Sequence, residues 1–382
     1  MSLYHIAFFV IIIGVVTEFL KKKIASKIYY VAFFLLAVML CFRYGQGTDY
    51  FGYAYIYRAF GEAGISALWD PNLHGEIGWQ LIILLFSSLK VPFTVFVFLH
   101  AAVEMLMLWF FIKRYCKLQN LALLLSYHTL YLTYYFSALR QGLVIALFLG
   151  LLLHWLLNKK YVPYLIVSVI CVTIHNCAVL FLIAPIMHWS LFKTIKNQVI
   201  FVVAAWAAGL LLATGILDTV LEMILPGRVM GYFSNRSISV ATLERVVTYA
   251  VVVIAYWLHR RKKLEQPSYV DFLMRIVTLG MIVYGGLLWM PLVASRLAIL
   301  LKIVEIALLC SLLTTDKIWR SLLTLFCVAL ASFMYVKNLA SYIDQGNYYD
   351  HITVLNYPYA SVLDREAILN YREHPYPYIG LP

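Results

Sequence analysis

Charge is what this sequence has least of. Asp, Glu, Lys and Arg make up 13% of its 382 residues, against about 25% in an ordinary soluble domain. A chain so poor in polar cover cannot face water over its whole surface, so much of its solvent must be lipid. Acids are the scarcer sign, 18 against 30 basic residues, for a formal net charge of +12. In a soluble protein that excess would point to nucleic acid. Here the bases sit in short clusters between apolar runs: KKKIASK at 21–27, KRYCK at 113–117, NKK at 158–160 and HRRKK at 259–263. That is the pattern of cytoplasmic loops, and it argues against a nucleic-acid partner. Cysteine is sparse, six residues without a C-x-x-C pair, so no disulfide framework is expected. No H-E-x-x-H spacing and no G-K-[ST] loop occurs, so neither a metal nor another cofactor is expected. The apolar/polar alternation of a membrane β-barrel is missing too. No basic segment precedes the first apolar stretch and no A-x-A site follows it, so residues 3–20 are expected to be a retained helix.

What is present is hydrophobic sequence, 63% of the chain. Runs of spanning length cover about 3–20, 28–42, 92–112, 120–138, 141–157, 199–217, 245–258, 270–289, 292–313 and 318–336, with a weaker stretch at 77–89. The run 162–189 is too long for one span and is expected to turn around His175–Asn176. The fold class is therefore all-α, a polytopic transmembrane helix bundle of about 11–13 segments. Residues 1–336 form the bundle, with outer loops at 43–75 and 218–244. Residues 337–382 form a short Tyr/Pro-rich tail over the same outer face. The basic clusters place both termini outside. One conflict lies between the outer loop 43–75 and the inner cluster 113–117. Either 77–90 dips in and returns, or it is a broken helix, or one basic cluster violates the rule.

The outer side collects the polar residues. Arg43-Tyr44-Gly45-Gln46-Gly47-Thr48-Asp49-Tyr50-Phe51-Gly52-Tyr53 begins where a run leaves the membrane. Asp49 is a candidate base among rings, Tyr50 and Tyr53, that could stack on a sugar; an interfacial turn anchored by aromatics explains them equally. Glu76 heads the next stretch, as a reactive acid or one favoured by the helix dipole. Arg140 joins two runs on the side where positive charge is disfavoured, which calls for an anionic ligand or a lipid phosphate. His175 lies inside a long run, as a catalytic group or an interhelical hydrogen bond. Arg228, Arg236, Arg245 and Arg296 add guanidinium groups suited to bidentate phosphate binding or to lipid headgroups.

At these residues the chain resembles the EpsG/Wzy-type family of bacterial polysaccharide polymerases. The likeness rests on RYGQGTDYFGY at 43–53, E-x-G-W at 76–79, Arg-Gln at 140–141, the His at 175 and YPYAS at 357–361. It implies a glycosyltransferase of GT-C-like architecture in the bacterial inner membrane, its site facing the periplasm. The implied substrate is an undecaprenyl-diphosphate-linked oligosaccharide, joined to a second lipid-linked repeat unit to build O-antigen or exopolysaccharide. Membrane lipid and a chain-length regulator protein are the other implied partners. Such chemistry needs a base for the attacking hydroxyl, for which Asp49, Glu76 and His175 are candidates. It also needs a cationic clamp for the departing diphosphate, for which Arg43, Arg140, Arg228, Arg236 and Arg296 are candidates. A transporter or flippase for lipid-linked saccharides, an O-antigen ligase or another lipid-linked glycosyltransferase would share much of this pattern.

Overall fold

Lipid cannot hydrogen-bond a peptide group, so continuous apolar runs must satisfy their own backbone, and helices do so within one segment. The computed structural model describes residues 2–73, 75–215, 240–262, 267–313 and 317–373, apart from the side chains of Ala241 and Lys317. Among these residues the fold is helical, with isolated β-bridges and no strand. Four helices are long and apolar enough to cross a membrane: Phe93–Tyr115, Leu139–Leu157, Ile195–Ala213 and Ile318–Gln345. Three helices are followed within two residues by a lysine in left-handed backbone. Lys21, Lys90 and Lys159 take left-handed backbone (φ 54°, 54° and 55°) just past helices ending at Phe19, Ser88 and Leu157. Glycine is usual there; a lysine is strained but answers the carbonyl end of the helix dipole.

The chain clusters into two compact units. The first holds residues 1–154, 170–176 and 318–382. In it, α1 (Leu3–Phe19), α2 (Ala25–Cys41), α5 (Phe93–Tyr115), α6 (Gln119–Ser126) and α7 (Leu139–Leu157) pack in succession. The segment read as loop 43–75 contains a helix, α3 (Tyr50–Ala63). Tyr50, Tyr53, Tyr57 and Phe60 fall on one buried face, and the Arg58–Glu62 pair lies exposed at 2.7 Å. That amphipathic spacing was the overlooked signal. Helix α4 (Ile77–Ser88) has 12 residues, about 18 Å at the helical rise, short of the ~30 Å hydrocarbon core. The last helix, Lys317–Gln345, runs nine residues beyond the boundary expected at 336.

The two ends of the family-like pattern meet in this unit. Tyr44 donates its N–H to the Ala360 carbonyl (3.0 Å), Val362 to that of Phe42 (2.9 Å), and Arg43 bridges Ser361. Gly47 (φ 92°) packs so closely that a Cβ would run into the Phe136 carbonyl.

The second unit holds residues 155–169 and 177–317. Its helices are α10 (Ile195–Ala213), α11 (Val240–Arg261), α12 (Val270–Gly286), α13 (Pro291–Lys302) and α14 (Glu305–Leu312), after the short α9 (Val179–Ile183) and the start of α8 (Tyr161–Ile174), whose residues from 170 on belong to the first unit. The run 292–313 is thus broken, at the buried Lys302–Glu305 ion pair (2.5 Å). Charge also sits within α5, where Glu104 is fully buried. Not all charge gathers at the outer boundary, as the clusters alone suggest.

Candidate active site

Three helix ends converge in the first unit. Glu76 is the residue before α4, Arg140 is the second residue of α7, and His175 follows α8, whose long run breaks there. Each is a polar residue at the point where an apolar helix stops, which is where a lipid-embedded chain leaves polar backbone groups unpaired.

Glu76 is the hub. Arg140 Nη1 donates to its Oε2 at 2.5 Å. His175 Nδ1 lies 3.2 Å from Oε1, and the Asn176 backbone N–H donates to the same oxygen at 3.0 Å. Side chains of the three are 12%, 27% and 13% exposed for Glu76, Arg140 and His175, so the cluster is enclosed yet reachable. Burial alone would raise the Glu76 carboxyl. The His175 side chain, the Asn176 N–H and the Arg140 charge outweigh it and hold the group at about 2. Glu76 is therefore an anion that can only accept. His175 must then carry its proton on Nδ1, which leaves Nε2 as the basic nitrogen. That atom is buried and has no hydrogen-bond partner among the described residues.

Neighbours fix these positions. The Tyr53 phenol hydrogen-bonds the Arg140 guanidinium. Trp79, one turn into α4, sets its ring edge-on to Tyr53 at 5.7 Å. Gly78 lies so near α8 that a Cβ would overlap the Thr173 hydroxyl and carbonyl. Trp79 and Gly78 belong to the E-x-G-W element, but only the acid was singled out in sequence; the tight glycine next to the aromatic was the available sign.

The remaining candidates are elsewhere. Asp49 is exposed and accepts the Thr48 hydroxyl at 3.0 Å. It stands one helical turn before Tyr53. Arg43 is 1% exposed, donates to the Leu40 carbonyl at 2.8 Å and lies over the Phe136 ring. It is enclosed beneath the C-terminal segment rather than presented to a ligand. Tyr50 is buried, and its hydroxyl has no hydrogen-bond partner among the described residues. Arg296 belongs to the second unit, on α13. Arg228 and Arg236 lie outside the described residues. No group of three or more potential metal ligands forms among the described residues.

No curated protein and no solved structure matches the chain. The model of one family does, over residues 26–360, which take in the Glu76, Arg140 and His175 cluster and the Arg43–Tyr53 element. That family is associated with polysaccharide polymerases, and its membrane character agrees with the long apolar helices. With most of its length matched, the chain belongs to the EpsG family.

Proposed function

We propose that the protein is a polysaccharide polymerase embedded, multi-pass, in the bacterial inner membrane. It transfers a glycan from polyprenyl diphosphate to a second lipid-linked repeat unit at the periplasmic face, building O-antigen or exopolysaccharide. The observation that carries this reading is the Glu76 carboxylate joined at once to His175 and Arg140.

The step requires one bond made and one broken. The acceptor hydroxyl oxygen bonds the anomeric carbon. The bond from that carbon to the diphosphate oxygen breaks, and its electron pair leaves with the diphosphate. The hydroxyl proton passes to His175 Nε2, the basic nitrogen left by the Glu76 contact. An anion held at about 2 is a poor base near neutrality, so Glu76 serves by orienting the imidazole and the guanidinium. Arg140 has five N–H groups, enough to face a departing diphosphate beyond those given to Glu76 and Tyr53. Donors fixed before the reaction stabilise developing charge without reorganising.

The test is incubation of purified protein with a defined lipid-linked repeat unit, with chain length read on a gel. Wild type extends the chains; Glu76→Gln and His175→Gln at equal membrane levels do not. Full extension by both would remove the cluster from the chemistry. Buried charge at Glu104 and at Lys302–Glu305 favours a second reading, a transporter or flippase for the same lipid-linked saccharides. Deletion separates them: surface glycan one repeat long for a polymerase, none for a flippase.

A further inference from the structure

A buried carboxyl–imidazole pair that the reaction does not use lies behind the Glu76 cluster, in the same unit. Glu104 and His100 stand one turn apart on α5, 0% and 7% exposed. Glu104 lies about 16 Å along the helix from Phe93 at the helical rise, near the middle of a ~30 Å hydrocarbon core. The closest approach of the two is 3.5 Å, from His100 Nδ1 to Glu104 Oε2. Neither carboxylate oxygen and neither ring nitrogen has a hydrogen-bond partner among the described residues.

Their neighbours share this condition. Trp79 sets its ring edge-on to His100 at 5.9 Å, and its indole N–H is buried without a partner among the described residues. The same holds for the Tyr135 hydroxyl. The Tyr135 ring and Glu104 Oε1 both crowd the place that a Cβ would take at Gly142. The Arg43 charge also acts on Glu104, and its Nε and Nη2 are buried and unpaired among these residues. Buried polar atoms nearly always pair with protein or with ordered water. A buried water needs two to four polar partners, and carboxyl, imidazole, indole and phenol together offer them.

The pair also reaches both helices that carry the candidate site. Trp79 is three residues beyond Glu76 on α4, and Gly142 is two residues beyond Arg140 on α7. We propose that internal water bridges His100 and Glu104, and that the hydrated pair is a positioning element for the site. Bridged by water, the two side chains satisfy each other and pin α5 against Trp79 and Gly142. That fixes the separation of Glu76 from Arg140. The positioning role rests on the polymerase reading; the water does not.

The test begins with X-ray hydroxyl-radical labelling of the purified full-length protein, oxidised residues being mapped by mass spectrometry. Radicals form in place, so a buried ring is oxidised where water sits beside it. Tyr131 is the control: it is equally buried, and its hydroxyl donates to the Leu36 carbonyl at 2.6 Å. Tyr135 should be labelled well above Tyr131, and Glu104→Leu should bring it down to the control. Tyr135 as inert as Tyr131 in the wild type overturns the proposal. In the chain-extension assay Glu104→Leu should lower kcat on the order of tenfold to a hundredfold, the scale of a misplaced reacting group, with KM little changed. Glu104→Gln, which can still hold water, should restore most of the rate. Glutamine as damaging as leucine, or a loss confined to KM, overturns the positioning role. His100→Phe keeps a ring against Trp79 but binds no water; it should repeat the leucine result, and it decides the matter where Glu104→Leu fails to fold. Labelled Tyr135 in a protein that never extends a chain sinks the reaction and leaves the hydrated pair. Extension by a protein with inert Tyr135 sinks the pair alone.

Discussion

Each of the two compact units holds a cluster of opposite charges, one centred on a carboxylate and one on an ammonium, in opposite settings. Glu76 gathers Arg140 and His175 from three separate helix ends, with side chains 12–27% exposed. Glu305 pairs with Lys302 three residues away across one helix break, at 7% and 3% exposure, and Glu244 stands 3.6 Å from the same ammonium. The first group is open enough to meet a substrate. The second answers its own charges out of reach of solvent. A carboxylate–cation contact alone therefore does not mark a site; exposure and the convergence of distant segments do.

Removing one partner sharpens that contrast most. Lys302→Met leaves Glu305 buried without its counter-ion and should cost about 3–5 kcal/mol, while Lys302→Met with Glu305→Met should recover most of it. Thermal unfolding in detergent measures both. A double variant no more stable than the single would show that the pair is not self-contained. At the open cluster the larger loss should be in rate. Arg140→Lys keeps charge but not the planar fork. It should lose about 2–4 kcal/mol of transition-state stabilisation, roughly a hundred- to thousandfold. Chain-extension rates at matched membrane levels decide this. Near-normal rate would make Arg140 an anchor to lipid phosphate.

Acid should separate the units as well. The Glu76 carboxyl sits at about 2, below its ordinary 4.5. Its contribution, on the order of 2–3 kcal/mol, is whole above about pH 4.5 and is lost as the pH falls through about 2. Melting temperature followed from pH 6 to pH 2 should fall more steeply in wild type than in Glu76→Gln. Parallel curves would contradict the bridged carboxylate. Gly78→Ala should cost a further increment of about 1–3 kcal/mol, because its methyl overlaps Thr173 and forces α4 away from α8. The accompanying sign is a lower extension rate as Glu76 and His175 separate, and an unaltered rate would mean the helices shift together.

Helix ends were the legible part of this chain. Apolar run length located most of the helices, and the polar residues interrupting the runs included Glu76, Arg140 and His175. What the sequence did not carry was which of them meet. Contacts such as Glu76–His175 span 99 residues, and nothing local encodes them. The same holds for Arg43, which reads as a boundary cation and is instead covered by the segment around Ser361. Helix α3 was missed because 14 residues with two glycines and two charges look like a loop until the tyrosines are counted at helical spacing. Buried charge at Glu104 and Lys302 was passed over because a single ion scarcely lowers the hydropathy of a long apolar run.

The smallest expected effect falls on the residue that stands out most in sequence. Asp49 lies in the densest motif of the chain, yet its side chain is exposed and accepts the neighbouring Thr48 hydroxyl. Asp49→Asn preserves shape and that hydrogen bond, so stability should change by no more than about 0.5 kcal/mol. The rate should fall by less than about tenfold, since loss of the carboxylate leaves His175, Glu76 and Arg140 in place. A carboxylate one turn from Tyr53 still contributes to the field around Arg140, which is why some loss is expected rather than none. A hundredfold loss with unchanged melting would assign the base to Asp49, and His175→Gln would then retain substantial activity. Measuring both variants in the same extension assay distinguishes an exposed acid that does the chemistry from one that only flanks it.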